Sequence, residues 1–388
     1  KAKQLLYIGT EFGVFFSLNG GEDWRKMAGG IPNIAVRDLA IQEREDDLVA
    51  ATFGRGFYIL DHLEPLRHLT RLRAEKEAAL LPPRDARWYI PRAQLSFGSK
   101  KGAQGAGHFV ADNPPHGATF TYYLPEDHPG LAEKRKEAEK PLEKAGEDIP
   151  FPGWEQLAAE MQELGTRHRL HIYDTEGHLV RRLAVSGDSG LHRITWDMRH
   201  PSLRALSPDA RESKGSGLLA APGRYTAQLY QVDSGQSVAL GEAQSFALKP
   251  LYENKAVNPR PAQRQAFWRS YESLVRDFTA LDKRMARLKK KTQALRLAYQ
   301  ASPETDSAVA ASLFGLKKEL DKLIRQQKGN PAKRKIGEKT RPTLQARLGK
   351  LGVMLRYNTH GPTQTALNTH DLIKSQLEPL AAQIAQLK

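Results

Sequence analysis

The stretch Ser17-Leu18-Asn19-Gly20-Gly21-Glu22-Asp23-Trp24 most narrows what this chain can fold into. It follows an aromatic, β-branched run, Leu5 to Phe16, that reads as one strand. Asn and Gly tolerate the positive φ that tight hairpin turns demand, so Asn19-Gly20-Gly21 reads as the turn. Trp24 then reads as a ring folded back onto the strands. The run also has an echo: Ile8-Gly9-Thr10-Glu11-Phe12-Gly13-Val14-Phe15-Phe16 returns loosely as Ala50-Ala51-Thr52-Phe53-Gly54-Arg55-Gly56-Phe57-Tyr58, offset by 42 to 43 residues. Between them, Ala35 to Ile41 alternates apolar and polar as a half-buried strand does. An offset of that size is the period of a four-stranded repeat, and one such repeat cannot bury both faces alone.

The pattern Ser17-x-Asn19-x-Gly21-x-x-Trp24 resembles the Asp-box, or BNR repeat, of sialidase-like and sortilin-like β-propellers. Val36 to Asp61 resembles the last blade of large bacterial proteins of that kind, often labelled glycosyl hydrolases. In such proteins Ser17, Asn19, Gly21 and Trp24 would shape a turn and carry out no chemistry. The resemblance implies that residues 1–65 are the closing blade or blades of a propeller. Its partners would be upstream blades of the same protein, in a periplasmic or secreted setting. The start at Lys1, with no Met and no signal peptide, reads as an internal cut in a longer protein.

Residues 66–98 read as a linker, with Leu69 to Leu81 as one short helix before Pro82-Pro83. Strand patterns return at His108-Phe109-Val110-Ala111, Ala118 to Leu124, Arg167 to Tyr173, His178 to Leu183, Gly190 to Trp196, Gly223 to Tyr230 and Ser237 to Leu248. A charged, then helical, excursion at about 126–165 interrupts them. Short strands joined by Gly-bearing turns indicate an antiparallel β-sandwich over 99–250. Asp174-x-x-Gly177, Trp196-Asp197 and Ala221-Pro222-Gly223-Arg224-Tyr225 resemble the Ig-like domain of flagellar hook-capping proteins.

From 251 to 388 the apolar period changes from two to a heptad spacing. Seams run through Phe267, Tyr271, Leu274, Phe278, Leu281, Met285, Leu288, Leu295 and Tyr299, then Val309 to Leu323, Leu344 to Leu355 and Ile373 to Leu387. Breaks at Pro303, Gly329-Asn330-Pro331 and Gly361-Pro362 separate four helices, which predicts an antiparallel helical bundle. The fold class expected is therefore multidomain, mainly β and then all-α: terminal propeller blades, an Ig-like sandwich with a helical insertion, and the bundle.

The formal net charge of +15 resides in the last part of the chain. Lys255 to His360 holds 25 Lys and Arg against 8 Asp and Glu, so the remainder is near neutral. Lys289-Lys290-Lys291, Lys317-Lys318 and Lys333-Arg334-Lys335 form a basic patch, readable as a solvated face, an anionic-surface contact or a nucleic-acid contact. Nucleic acid is the disfavoured reading, because the aromatic residues of the segment sit on its seams. The absence of cysteine excludes disulfides and thiolate chemistry. His168 and His171 are three apart on a strand and point to opposite faces. No cofactor is implied; Ca²⁺ in Asp-rich loops has no motif behind it.

In the blades, Glu11, Arg37, Asp38 and Arg55 are candidate ligand-facing residues at strand ends, and a Glu/Asp pair at the right separation is the apparatus of a glycosidase. No catalytic residue can be named. The favoured expectation is a non-catalytic binding and scaffold region of a large exported propeller protein that meets a protein or glycan. The alternatives are part of a sialidase-like glycoside hydrolase with its active site mostly upstream, and an anionic-surface or nucleic-acid binder acting through the bundle. No apolar run has the length of a membrane span.

Overall fold

A computed structural model describes residues 4–91, 113–163, 168–201, 216–233, 236–251, 261–303 and 306–387. The expected strand at His108–Ala111 and the start of the one at Arg167 lie outside these residues. The chain is β first and helical last, and it divides into two compact units. One comprises Lys1–Trp88, Ala111–Met198 and Gly223–Lys249; the other comprises Tyr89–Val110, Arg199–Pro222 and Pro250–Lys388.

The first unit opens with two antiparallel three-stranded sheets. Strands β1 (Leu6–Thr10), β2 (Gly13–Ser17) and β3 (Arg25–Lys26) form one; β4 (Val36–Gln42), β5 (Asp47–Thr52) and β6 (Phe57–Leu60) form the other. The run expected as one strand is thus a hairpin. Gly13, at φ 118, reverses the chain in a conformation that side-chain-bearing residues rarely adopt. β1 lies beside β4, where Gly9 lets the backbones approach: a Cβ there would sit 2.7 Å from Val36 Cγ1. Val14, Leu48, Ala50 and Leu63 form the core between the sheets, joined by Tyr7, Leu39, Tyr58 and Leu60. The faces turned away from this core are also apolar. Leu6 and Ile8 on one, and Phe57 and Ile59 on the other, are exposed.

Helix α1 (Glu64–Glu75) follows, with Pro65 in its first turn and Lys76 as a left-handed C-cap. The stretch expected as a linker then contributes two short strands, β7 (Ala79–Leu80) and β8 (Ala86–Trp88). They were illegible because two or three residues show no periodicity; both become edge strands through pairing with distant partners. β9 (Ala118–Leu124) pairs with β7 and β12 (Gly190–Trp196) in a three-stranded sheet. The five-stranded sheet has the order β11-β10-β15-β16-β8, with β10 (His168–Tyr173), β11 (Leu179–Val185), β15 (Gly223–Asp233) and β16 (Gln236–Pro250).

The two sheets face each other through aromatic rings. Phe120 meets Phe246 edge-on at 5.0 Å, and Trp196 meets Tyr225 at 5.6 Å. Between β9 and β10 stand α2 (Leu131–Ala145) and α3 (Trp154–Gln162), neither of which buries a residue. Arg135 ties them together, bonding Glu139 on its own helix and Glu160 on the other at 2.8 and 2.7 Å.

The second unit contains the hairpin β13 (Arg199–Pro201) and β14 (Ser216–Leu219) with five helices. These are α4 (Pro261–Ala301), α5 (Ser307–Lys328), α6 (Pro331–Lys335), α7 (Leu344–Arg356) and α8 (Gln364–Gln386). Asp306, Asn330, Thr343 and Thr363 each cap a helix by accepting a backbone N–H. The 41 residues of α4 make a rod about 60 Å long at 1.5 Å per residue.

α5 folds back along the distal part of α4, where Lys328 pairs with Asp282. α7 continues in that direction and brings Gly352 against Tyr271. α8 then returns: Ser270 meets His370, and residues 277–284 share a groove with 374–381. This corrects the expectation of a uniformly antiparallel set. α5 and α7 both run antiparallel to α4, and α8 comes back parallel to it.

The seams at Leu344, Leu348, Leu351, Leu355, Ile373, Leu377, Leu380 and Ile384 are buried. Leu295 and Val309 are exposed, against expectation, at 44% each. No residue after Leu288 on α4 or before Leu320 on α5 belongs to the helical core, which includes Leu218 of β14. Beyond those points, among the described residues, α4 and α5 pack on each other.

Candidate functional site

The four candidates at the strand ends are partly brought together. Arg37 Nη1 donates to Glu11 Oε1 at 3.4 Å, and its guanidinium lies 5.0 Å over the Phe53 ring. Phe12 and Phe53, at the tips of the β1–β2 and β5–β6 turns, are about two-thirds exposed. Asp38 instead turns its Oδ1 to the Leu39 N–H at 2.9 Å, and no contact joins it to Glu11 among the described residues. Arg55 stands in the β5–β6 turn between Gly54 and Gly56, both at positive φ. Glu11 and Arg37 are 68% and 57% exposed, so their ion pair is solvent-screened. The apolar wall that a glycosidase acid requires is not built around either carboxylate.

The two turns share a device that the echo only hinted at. Thr10 Oγ1 donates to the Gly13 carbonyl at 3.1 Å, and Thr52 Oγ1 donates to the Gly56 carbonyl at 2.7 Å. Equivalent threonines therefore latch equivalent hairpins.

In the turn that follows β2, Ser17 Oγ accepts the Gly21 N–H at 2.9 Å and donates to Asn19 Oδ1 at 2.8 Å. Asn19 Nδ2 donates to Asp23 Oδ2, and Asn19 Oδ1 accepts the Asp23 N–H, both at 3.0 Å. Ser17 is buried, while Trp24 remains 42% exposed rather than enclosed by strands. The Ser17 hydroxyl and the Asn19 amide are thus occupied in closing the turn.

A denser network, missed in the sequence, surrounds the β4–β5 turn. Arg84 donates to Asp47 Oδ1 at 3.0 Å and to the Glu45 carbonyl; Arg87 meets Glu45 at 3.2 Å. Arg193 donates to the carbonyls of Asp61 and His62 at 2.7 and 3.1 Å. Burial, with Arg84 and Arg193 alongside, pushes the His62 imidazole down to about 4. Nearby, the hydrogen bonds from Arg67 hold the Asp46 carboxyl below its ordinary value. These residues are 37 to 132 positions apart, and single charges at such separations carry no sequence signal. The network is a structural junction of the first unit.

In the second unit a groove of about 480 Å³ runs between α4 and α8. At one end Ser270 Oγ lies 2.7 Å from His370 Nε2, and His370 Nδ1 lies 3.1 Å from Asp371 Oδ1. The order of groups is that of nucleophile, base and orienting acid. The Ser270 N–H, however, lies within a helix, where it cannot also serve an oxyanion, and the Asp371 side chain is 80% exposed. The trio acts as a polar clamp between helices. The signal that would have found it is that His370 extends the α8 seam three residues before Ile373.

Of the basic patch, Lys289 and Lys317 come together, with Arg296, around a hollow of about 200 Å³ between α4 and α5. Lys318 lines an adjoining hollow with Lys317 and Phe314. Lys290 and Lys291, and Lys333, Arg334 and Lys335 on α6, line neither.

Asp174, Glu176 and His178 bring their ligand atoms within 4.8 Å of one another. Asp174 Oδ1 already accepts the N–H groups of Glu176 and His178 at 3.0 and 2.9 Å, and the His178 and Glu176 side chains are largely exposed. Closure of the β10–β11 turn accounts for the grouping.

No family model matches this sequence, and no curated protein matches it. Among solved structures, PorZ is similar over part of its length; it is a bacterial surface component of the type-IX secretion system of Porphyromonas gingivalis. The identity is 16% and the TM-score 0.16, with 64% of this chain and 29% of that chain covered. Among the described residues, no helix is long and apolar enough to cross a membrane.

Proposed function

We propose that this chain is a non-catalytic binding and scaffold region built onto the end of a β-propeller and carried by an exported protein. The observation behind this reading is the pair of stacked three-stranded sheets with apolar faces on both outer sides. Leu6 and Ile8 cover one side, and Phe57 (74% exposed) and Ile59 (59% exposed) the other. Faces of that composition stay soluble in a folded protein when a further layer covers them, as in a repeat array. The repeated threonine latch at Thr10 and Thr52 supports reading the two sheets as consecutive blades.

On this reading the hydrogen-bonded Ser17–Asp23 turn is the Asp-box of the first blade, the facing sheets are an Ig-like sandwich, and the helices are an accessory bundle. The neighbours of β1 and β6 are other blades of the same protein. The exposed tips carrying Phe12, Phe53, Arg37 and Glu11 contribute to a face for a protein or glycan.

Hydrogen exchange tests the arrangement. Amides of β1 and β6 are expected to exchange several-fold more slowly when further propeller sequence is present than in this chain alone. Equal exchange in both would remove the blade reading. The competing reading, a sialidase-like hydrolase, predicts glycan turnover that Glu11→Gln abolishes. The solvent-facing setting of Glu11 speaks against it.

A further inference from the structure

The distal ends of α4 and α5 form a helical hairpin that, among the described residues, no other element of their unit covers. The helical core stops at Leu288 on α4 and at Leu320 on α5. Past those residues the hairpin displays apolar side chains to water: Leu295 is 44% exposed, Leu297 59%, Val309 44% and Phe314 68%. Thr292, which breaks the apolar seam, is buried with its hydroxyl bonded to the Leu288 carbonyl.

Cations stand among these apolar groups. Lys289, Gln293, Arg296 and Gln300 recur at helical spacing along one face of α4, and with Lys317 of α5 they line the hollow of about 200 Å³. Lys289 and Arg296 have no carboxylate partner among the described residues, and Lys317 has only Asp321 at 3.9 Å. Leu297 lines the same hollow, and Lys317 is shared with the adjoining one, where Phe314 sits. Three cations against the single carboxylate of Asp321 in this hollow, beside exposed Leu and Phe, are the composition of an interfacial segment. The cations attract headgroups while the apolar side chains enter the acyl boundary. A surface for single-stranded nucleic acid would stack successive bases on several aromatic platforms, whereas Phe314 is the one largely exposed aromatic ring among the described residues of this hairpin.

We infer that the distal α4–α5 hairpin docks on an anionic phospholipid surface, seating a lipid phosphate among Lys289, Arg296 and Lys317. This is independent of how the β part is read.

The test is flotation of the whole chain with vesicles of phosphatidylcholine alone and of phosphatidylcholine mixed with phosphatidylglycerol. Binding is expected only to the second kind. Each groove cation replaced by Gln is expected to weaken it about fivefold, so the Lys289→Gln/Arg296→Gln/Lys317→Gln variant loses roughly a hundredfold. Lys333→Gln/Arg334→Gln/Lys335→Gln removes the same charge from α6 and is the control; it should lose several-fold at most. Leu297→Ser/Phe314→Ser should also weaken vesicle binding while leaving any binding to duplex DNA unchanged. All substituted groove side chains are exposed, and circular dichroism checks that the helices persist. Equal losses in the two charge variants would overturn the groove in favour of general attraction. Binding to duplex DNA that the groove variant abolishes, with vesicle binding indifferent to Leu297 and Phe314, would overturn the lipid in favour of nucleic acid.

Discussion

At the level of single residues, the β sheets depend on positions where nothing larger fits. A Cβ on Gly9 would meet Val36, whose β-branched side chain has little freedom to move aside. Gly9→Ala is expected to cost about 1–3 kcal/mol, read as a lowered urea midpoint. Gly117 is tighter still, since its Cβ would lie 1.9 Å from the Trp196 carbonyl oxygen, which is backbone. Ser17→Ala would leave the Gly21 N–H without its acceptor in a part-buried turn, at a cost of about 1 kcal/mol.

His62 confers a pH dependence of definite sign. Its folded value, about 4, lies below the ordinary 6.5, so the fold favours the neutral ring. Above 6.5 this contribution to stability is fully present. As pH falls through 6.5 toward about 4, the unfolded chain takes up the proton first and stability is lost. The unfolding temperature of the first unit should therefore fall over that interval, and His62→Gln should flatten the dependence. An unchanged slope in the variant would assign the effect to other groups.

At the level of elements, what the sequence makes legible follows the reach of local chemistry. The turn after β2, the β10–β11 hairpin around Asp174 and Gly177, and the helices with their Asp, Asn and Thr caps are written in neighbouring residues. β7 and β8 are not, because their strand character comes from partners such as Tyr123 for Ala79. The exposure of Leu295 and Val309 was hidden for a related reason: a seam predicts an apolar face, but not whether a third helix reaches it. Of the candidate ligand residues, the approach of Arg37 to Glu11 spans 26 positions, and only the fold supplies it.

The α2–α3 hairpin is an element that the facing sheets hold by few contacts. Neither helix buries a residue; Phe151 in the loop and Trp154 at the start of α3 are 61% and 79% exposed. Replacing Leu131–Gln162 by a short Gly/Ser linker should shift the unfolding temperature little, since loop closure changes slowly with length. A large drop would show that the hairpin shields part of the facing sheets.

At the level of the whole molecule, neither unit is one continuous piece of chain. β14 belongs with the helices and places Leu218 in their core, although it precedes β15 and β16 in sequence. A cut at residue 250 is consequently not a clean division. The shortened protein should expose Leu218 and bind a hydrophobic dye, whereas a Leu218→Ser version of it should bind less. Equal dye binding by the two would mean that this strand finds cover elsewhere.

The same threading sets an order of events during synthesis. β14 leaves the ribosome before any of the helices that will enclose Leu218, and β9 must wait for β12 before its sheet can form. A polypeptide made from its N-terminus therefore carries unmatched apolar strands for much of its elongation, the condition in which nascent chains recruit holding chaperones. The helices that follow it in the chain complete the cover over the earlier strand, so the helical unit becomes self-sufficient only once α8 has emerged.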